Sequence, residues 1–326
     1  MQLSKIGEFG LIKSLQKKCV VQRSEILAGI GDDTAVIRVA DRKLLVTSDM
    51  MLEGVHFDLS FTTFSQLGHK LLAINISDIF AMGGKPQYFL VSIGIPSRHM
   101  AGDIHELYKG IMKLAKEFRV AVIGGDTCSS KNGLVLNGTL IGYAKKPMKR
   151  SGAKIGDSIF ISNTLGDSAM GLRILRNRKK RVHSFVPVTS NIKLMQKHLL
   201  PKPKPLNTLS KVTSMIDISD GLLIDLSHIC DESRVGAVIH KDKVPVSREL
   251  TLIAKKFGVD PIELALKGGE DYCLLFTAPS GIKTDAFKIG EIVRKDRFIV
   301  DEKGRKKTFK PEGYEHFKKR NSNGFI

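Results

Sequence analysis

A two-domain, mixed α/β protein is predicted by three features of the sequence. Helical and strand periodicities alternate from Leu44 to Ala144, a polar break containing Pro147 and Gly152 follows at Lys145–Lys154, and strand-to-helix turns resume after it. The break divides the chain into residues 1–146 and 147–326, and a chain of this length can bury a core in each half.

In the first half, LIKSLQKK reads as a short helix after a Gly-Glu-Phe-Gly turn, and GIGDDTAVI as a tight turn carrying Asp32 and Asp33 into a strand over Ala35–Val39. KLLVTSD is an apolar strand, Leu44 to Val46, that runs into Thr47, Ser48 and Asp49. Those oxygens are expected at its carboxyl end, where ligands gather in α/β folds. From Thr62 to Met82 the period is helical, with Leu67, Leu71 and Ile74 on one stripe, Asn75 and Asp78 beside it, and Gly83 and Gly84 as the stop. YFLVSIGIP is a buried strand, and Gly102–Phe118 a helix that turns Leu107, Ile111, Leu114, Ala115 and Phe118 inward with Tyr108 adjoining. VAVIGGDT runs into Gly124, Gly125 and Asp126, again acid at a strand's end, and LVLNGTLIGYA alternates as a strand.

In the second half, GDSIFISN is a strand and GDSAMGLRIL a helix with Asp167 and Ser168 as cap candidates. RNRKKRVHSFVPVTS reads as a charged loop and LLPKPKP as a stiff connector. A strand over Met215–Ile218 turns through Ser219, Asp220 and Gly221 into a helix bearing Leu222, Leu223, Leu226 and Ile229. Gly268, Gly269, Glu270 and Asp271 precede another apolar strand, and GYEHF near the end is aromatic beyond what a disordered tail requires.

Composition narrows the function classes. Hydrophobic content of 42% and charged content of 26% are those of a globular domain. The balance of 52 basic against 33 acidic residues, net +19, raises nucleic acid as a partner, but the basic runs are scattered and carry no interleaved aromatics or recognisable module. A Lys-rich solvated surface is the better account. Cys19, Cys128, Cys230 and Cys273 form no C-x-x-C pair, so reduced thiols in a cytoplasmic protein are expected. No apolar run is long enough for a membrane span.

Asp33, Asp49, Asp78, Asp126, Asp217 and Asp220 all stand beside glycine or hydroxyl residues at element ends. Two carboxylates about 4 Å apart repel by roughly 4 kcal/mol at an effective dielectric near 20, so a convergent set needs protons or a cation. Oxygen-only ligands suit Mg²⁺, which usually arrives with substrate phosphates. No Walker A sequence, complete dinucleotide fingerprint or protein kinase signature is present, so any nucleotide chemistry uses an acid-rich, multi-metal cradle. Arg150, in the break, is a candidate phosphate clamp.

GIGDDTA, TSD…GVHF, NISDIFAMGG, IGGDT, DISDG and GGEDY occur in the order found in thiamine-monophosphate kinases, which the chain resembles from GEFG to GYEHF. That family is part of the superfamily of aminoimidazole ribonucleotide synthetase and selenophosphate synthetase. The resemblance implies two α/β domains, a homodimer formed through the first, and phosphorylation of thiamine monophosphate by ATP with several Mg²⁺ ions. It implies that Asp33, Thr47, Ser48, Asp49, Asp78, Asp126, Asp217 and Asp220 hold Mg²⁺, that Tyr108, Gly125, Asp126, Arg150 and Ser219 contact ATP, and that His56, Glu270 and Tyr314 contact thiamine monophosphate. Asp49, Asp126, Asp220 and Arg150 would be the catalytic set. Where many members read H-L-R-P-x-P-R this chain reads HLLPKPKP, with Leu200 and Lys204 replacing arginines. The competing readings are another ATP-using enzyme of the superfamily, and a basic RNA-binding protein with structural Mg²⁺. Selenophosphate synthesis is disfavoured because no cysteine lies in a glycine-rich amino-terminal loop.

Overall fold

The computed structural model describes residues 3–19, 23–179, 189–207 and 209–317. The chain opens with α1 (Leu3–Lys18), β1 (Ile26–Ala28), β2 (Ala35–Val39), β3 (Arg42–Leu52), α2 (Phe64–Ala81), β4 (Lys85–Pro96), α3 (Ala101–Phe118), β5 (Ala121–Ser130) and β6 (Val135–Ala144). It continues with β7 (Ser158–Ile161), α4 (Asp167–Lys179), α5 (Thr189–Leu199), β8 (Ser214–Asp217), α6 (Leu222–Ser233) and β9 (Gly236–His240). The last elements are α7 (Arg248–Phe257), α8 (Pro261–Lys267), β10 (Leu274–Ala278), β11 (Phe287–Val293), β12 (Arg297–Val300) and β13 (Lys306–Thr308).

Two sheets result, in the orders β1-β2-β3-β6-β4-β5 and β13-β12-β9-β11-β7-β10-β8. Both are mixed and mostly antiparallel: β4 and β5 are parallel in the first, β9 and β12 in the second. The alternation read in LVLNGTLIGYA is realised in β6, whose residues alternate half-buried and buried along the strand. Thr63 caps α2 through a reciprocal capping box with Gln66, and Gly83, at φ 67°, ends it.

Helix α2 holds the molecule together. It lies on the first sheet, and Gly68 and Gly110 allow α3 to approach it at backbone contact: a Cβ on either would stand 1.9 Å from a carbonyl oxygen of the other helix. On its far side it meets the second sheet, so that Leu71, Leu72 and Phe89 share one hydrophobic core with Phe160, Met215 and Phe276. The two halves thus do not bury fully separate cores, although the second sheet has a further one around Ile216, Leu226 and Leu275.

Several boundaries differ from expectation. The GEFG segment lies inside α1, kinked at Gly7 (φ 66°), instead of preceding it. β3 and β5 do not stop at Asp49 and Asp126 but run on to Leu52 and Ser130, because continued pairing, β3 with β6 and β5 with β4, satisfies their backbones. Asp271 stands where Asp167 and Ser168 were expected to cap α4: Gly166 and Ser168 donate their N–H groups to it at 2.6 and 3.2 Å, while Asp167 accepts from the Thr164 and Ser247 hydroxyls. The charged loop expected over RNRKKRVHSFVPVTS is helical through Lys179 and again from Thr189, and residues 180–188 lie outside the described residues. Among the described residues no helix is long and apolar enough to cross a membrane.

Candidate active site

A pocket of about 440 Å³ lies between α2, the free edge of β3 and the turns after β8 and α8. β2 pairs with β3 only as far as Val46, so beyond Thr47 the outer edge of β3 is uncovered, and Ser48, Asp49, Met50 and Met51 line the pocket. From α2 come Lys70, Ile74 and Asp78, one face of the helix at four-residue spacing. Asp217, Ser219 and Asp220 enter from the end of β8 as DISDG predicted, and Glu270 from GGEDY. The two turns lie backbone to backbone: Glu270 N–H donates to Ser219 O at 2.7 Å, and a Cβ on Gly269 would stand 2.4 Å from that same oxygen.

The carboxylates are buried and mutually repulsive. Burial foremost, with lesser repulsion from Asp33, raises Asp49 to about 6; the same two causes raise Asp217 to about 8. Asp78 is pushed well above the carboxylate range by burial and then by Asp49, Asp217 and Asp33. Asp78, Asp217 and Asp33 each accept from a side chain that favours the charged form. Thr47 Oγ1 donates to Asp78, and Ser77 Oγ to Asp217 at 2.6 Å. Arg150 donates to Asp33 Oδ1 from Nη2 (2.6 Å) and Nε (3.2 Å), while its backbone N–H reaches Asp32 at 3.0 Å. Asp33 Oδ2 remains buried with no hydrogen-bond partner among the described residues.

The opposite wall is built for an organic ligand. Lys70 Nζ lies 2.7 Å from Glu270 Oε1, and His198 Nδ1 lies 3.0 Å from Oε2. Burial opposes ionisation of Glu270, yet Lys70 and His198 hold its carboxyl below the usual range. Burial lowers His198 as well, so the lysine supplies the charge and the imidazole a neutral hydrogen bond. His56, Tyr314 and His316 close this end, His56 having been lowered to about 4 by burial and then by His316.

The structure therefore unites His56, Asp49, Asp78, Asp217, Ser219, Asp220, Glu270 and Tyr314 in one pocket. Thr47 adjoins it through Asp78, and Asp33, bonded to Arg150, acts on it through repulsion of Asp49 and Asp217. Ser48 lines the pocket with its backbone only, and the structure does not bring in Tyr108, Gly125 or Asp126. Ser48 has its side chain on the other face of β3 from Thr47 and Asp49, bonded to Thr139 at 3.0 Å. Asp126 also lies on that face, in register with Ser92, Asn137 and Met50, and β5 is three strand spacings of about 4.8 Å from β3. Tyr108 packs against the first core from α3. Lys70, His198 and His316 were not anticipated, although the four-residue spacing of Lys70, Ile74 and Asp78 was open to view. A larger cavity of about 1380 Å³ shares Tyr272 with this pocket but holds none of the predicted site residues.

A cluster of hard oxygen donors, raised by burial and then by mutual repulsion, and with one carboxylate oxygen orphaned among the described residues, fits Mg²⁺. Among the described residues no three acidic, His or Cys side chains already stand as a ligand set, since Asp33, Asp78 and Asp217 turn to Arg150, Thr47 and Ser77.

Two family models match the chain, AIR synthase related protein, N-terminal domain, over residues 31–144 and AIR synthase related protein, C-terminal domain, over residues 154–303. The chain thus has the two domains of an AIR synthase related protein. The thiamine-monophosphate kinase of Aquifex aeolicus (strain VF5) is 36% identical over 97% of this chain and 100% of its own length, and that of Bacillus subtilis (strain 168) 33% identical over 96% and 100%. The solved structure of AaThiL complexed with AMPPCP and TMP superposes with a TM-score of 0.85 at 34% identity, covering 97% of this chain and 99% of that one. The chain belongs to the thiamine-monophosphate kinase family.

Proposed function

We propose that this protein transfers the γ-phosphoryl group of ATP to thiamine monophosphate, giving thiamine diphosphate and ADP. The observation that carries this reading is that His56, Glu270 and Tyr314 line the same pocket as Asp49, Asp78, Asp217 and Asp220. An organic cation beside the half-buried ionised carboxylate of Glu270, with a phosphate tail toward the acids, matches that division. Residues 1–146 would form the nucleotide and metal domain, and residues 147–326 would complete the site. The free thiols of all four cysteines suit a cytoplasmic enzyme.

Mg²⁺ would be held by Asp33, Thr47, Ser48, Asp49, Asp78, Asp126, Asp217 and Asp220, and when bound it would neutralise charge between two phosphate-bearing substrates. Ser48 would serve through its backbone, its side chain being turned away. Arg150, oriented by Asp33 and by its own backbone bond to Asp32, presents a fixed guanidinium to ATP. Tyr108, Gly125, Asp126 and Ser219 complete the nucleotide contacts. The acceptor is a phosphate monoester with a second pKa near 6, so its attacking oxygen is already ionised at neutral pH and no general base is needed. A bond forms from that oxygen to the γ-phosphorus as the bond to the ADP oxygen breaks, in line and without a phosphoenzyme. Net retention at phosphorus in an isotopically chiral substrate would contradict this.

The active form is a homodimer. The face of the first sheet away from α2 exposes Met50 (54%), Ile123 (55%) and Tyr88 (39%), and β5 leaves an unpaired outer edge. Covering this face with a second copy would let Gly125 and Asp126 of one chain serve the pocket of the other. The activity test is ADP release from Mg-ATP with thiamine monophosphate, thiamine, aminoimidazole precursors and selenide offered separately. Turnover with thiamine monophosphate alone, lost in Asp49→Asn, is expected, and ADP only with another acceptor would overturn the substrate.

A further inference from the structure

The segment that carries Tyr314 and His316 returns to the pocket and ties itself to the turn after β8 and to α1. Tyr314 N–H donates to Asp220 O at 2.9 Å, and His316 N–H to Glu8 Oε2 of α1 at 3.0 Å. The His316 ring stands edge-on between two residues expected to touch substrate, with centroids 5.1 Å from His56 and 4.8 Å from Tyr314. Two polar contacts join these rings, and a third anchors the first ring to β3. Leu52 N–H donates to His56 Nδ1 at 3.0 Å, His56 Nε2 lies 3.3 Å from His316 Nε2, and His316 Nδ1 lies 3.1 Å from the Tyr314 hydroxyl.

A neutral imidazole has one donor nitrogen and one acceptor nitrogen. Because Leu52 donates to Nδ1 of His56, that ring must carry its proton on Nε2. The Nε2–H then donates to His316 Nε2, which fixes His316 as the opposite tautomer, and its Nδ1–H donates to the Tyr314 oxygen. The order of protons along the chain thus follows from one backbone amide in β3. Both ring nitrogens of His56 are engaged, so His56 is left to meet a ligand with its ring face. We infer that His316 is a positioning residue for substrate recognition, which accepts the Nε2–H of His56, so holding its ring plane, and orients the Tyr314 hydroxyl through one directed hydrogen-bond relay.

The inference deepens the proposed thiamine monophosphate site and rests on that reading for its kinetic consequence, but the relay itself is a property of the free protein. The first measurement is the nitrogen-15 spectrum of the histidine side chains at pH 7, assigned with His56→Gln and His316→Gln. His56 is expected as the Nε2–H tautomer and His316 as the Nδ1–H tautomer, with His56 keeping its tautomer in His316→Phe, because Leu52 sets it, while its Nε2 signal shifts on losing its acceptor. The second is steady-state kinetics of His316→Phe and His316→Gln. Loss of the relay in the Phe variant should raise KM for thiamine monophosphate about tenfold, the size of one lost positioning hydrogen bond, with kcat and the KM for ATP changed less than about twofold. Gln, which keeps an acceptor and a donor, should recover part of the loss. The opposite tautomer at either ring, or an unchanged KM in folded His316→Phe, overturns the assignment. Because the tautomer spectrum needs no turnover, failure of the thiamine reading leaves the relay separately decided.

Discussion

Lys70 Nζ and Glu270 Oε1 form a 2.7 Å ion pair across the pocket, with side chains 5% and 26% exposed. The folded-state pKa of Glu270 is depressed, so the pair contributes fully above the unfolded value of about 4.3. Its contribution is lost as pH falls through the folded value. Lys70→Met should cost about 2–3 kcal/mol at pH 7, at or below the lower end for breaking a sealed pair because Glu270 still reaches solvent. Urea unfolding at pH 7 and again below pH 4 is the check. A gap to wild type that does not narrow on acidification would mean that lost packing, not the charge pair, is responsible.

The glycines between α2 and α3 give a prediction about geometry. A methyl on Gly110 would meet Ser65 O at 1.9 Å, so Gly110→Ala must force α2 away from α3. The gain in helix propensity, about 1 kcal/mol, is outweighed by overpacking of about 3 kcal/mol or more. Because α2 carries Lys70 and Asp78, activity should fall with stability. Gly102→Ala, with nothing within 4 Å of its added methyl, should be neutral or slightly stabilising. Equal melting temperatures for the two variants would contradict the close approach.

Which parts of the site were legible follows from what local sequence encodes. DISDG and NISDIFAMGG announced Asp217, Asp220 and Asp78 because a turn or a helix stop fixes each acid locally. Asp49 was identified, but the reason given for its position was wrong. It is accessible because β2 stops at Val46, a fact of pairing between strands and not of the strand's own end. Lys70 and His198 meet Glu270 only after α2 and α5 dock, and His316 reaches His56 across nearly the whole chain, so no local period could report them. The opposite facing of Ser48 and Asp49 was available in principle, since adjacent residues of a strand point apart.

Asp49 lies in a cluster in which burial and like charge oppose ionisation. Asp49→Asn removes one of the repelling charges, so the metal-free variant should melt above wild type at pH 7.5. Addition of MgCl₂ without nucleotide should stabilise wild type by about 2 °C or more, through binding to the folded state, and the variant much less. Scanning fluorimetry with and without Mg²⁺ separates the two effects. An equal Mg²⁺ response in both proteins would remove Asp49 from the ligand set.

Asp126 is the hardest residue to place in a one-chain site, being on the opposite sheet face and three strands from Asp49. If it serves the pocket of a second copy, Asp49→Asn and Asp126→Asn are each inactive alone but complement on mixing. A mixed dimer has one site carrying both substitutions and one carrying neither, so unfolding and refolding the two variants together should restore activity up to the share of intact sites. Ile123→Asp, which puts a charge on the exposed face beside β5's edge, should shift the protein to monomer in light scattering and abolish activity even with both acids present. Mixed dimers that form and stay inactive would show that Asp126 and Asp49 act within one chain, and would require β5 to reach the pocket by a movement of its own subunit.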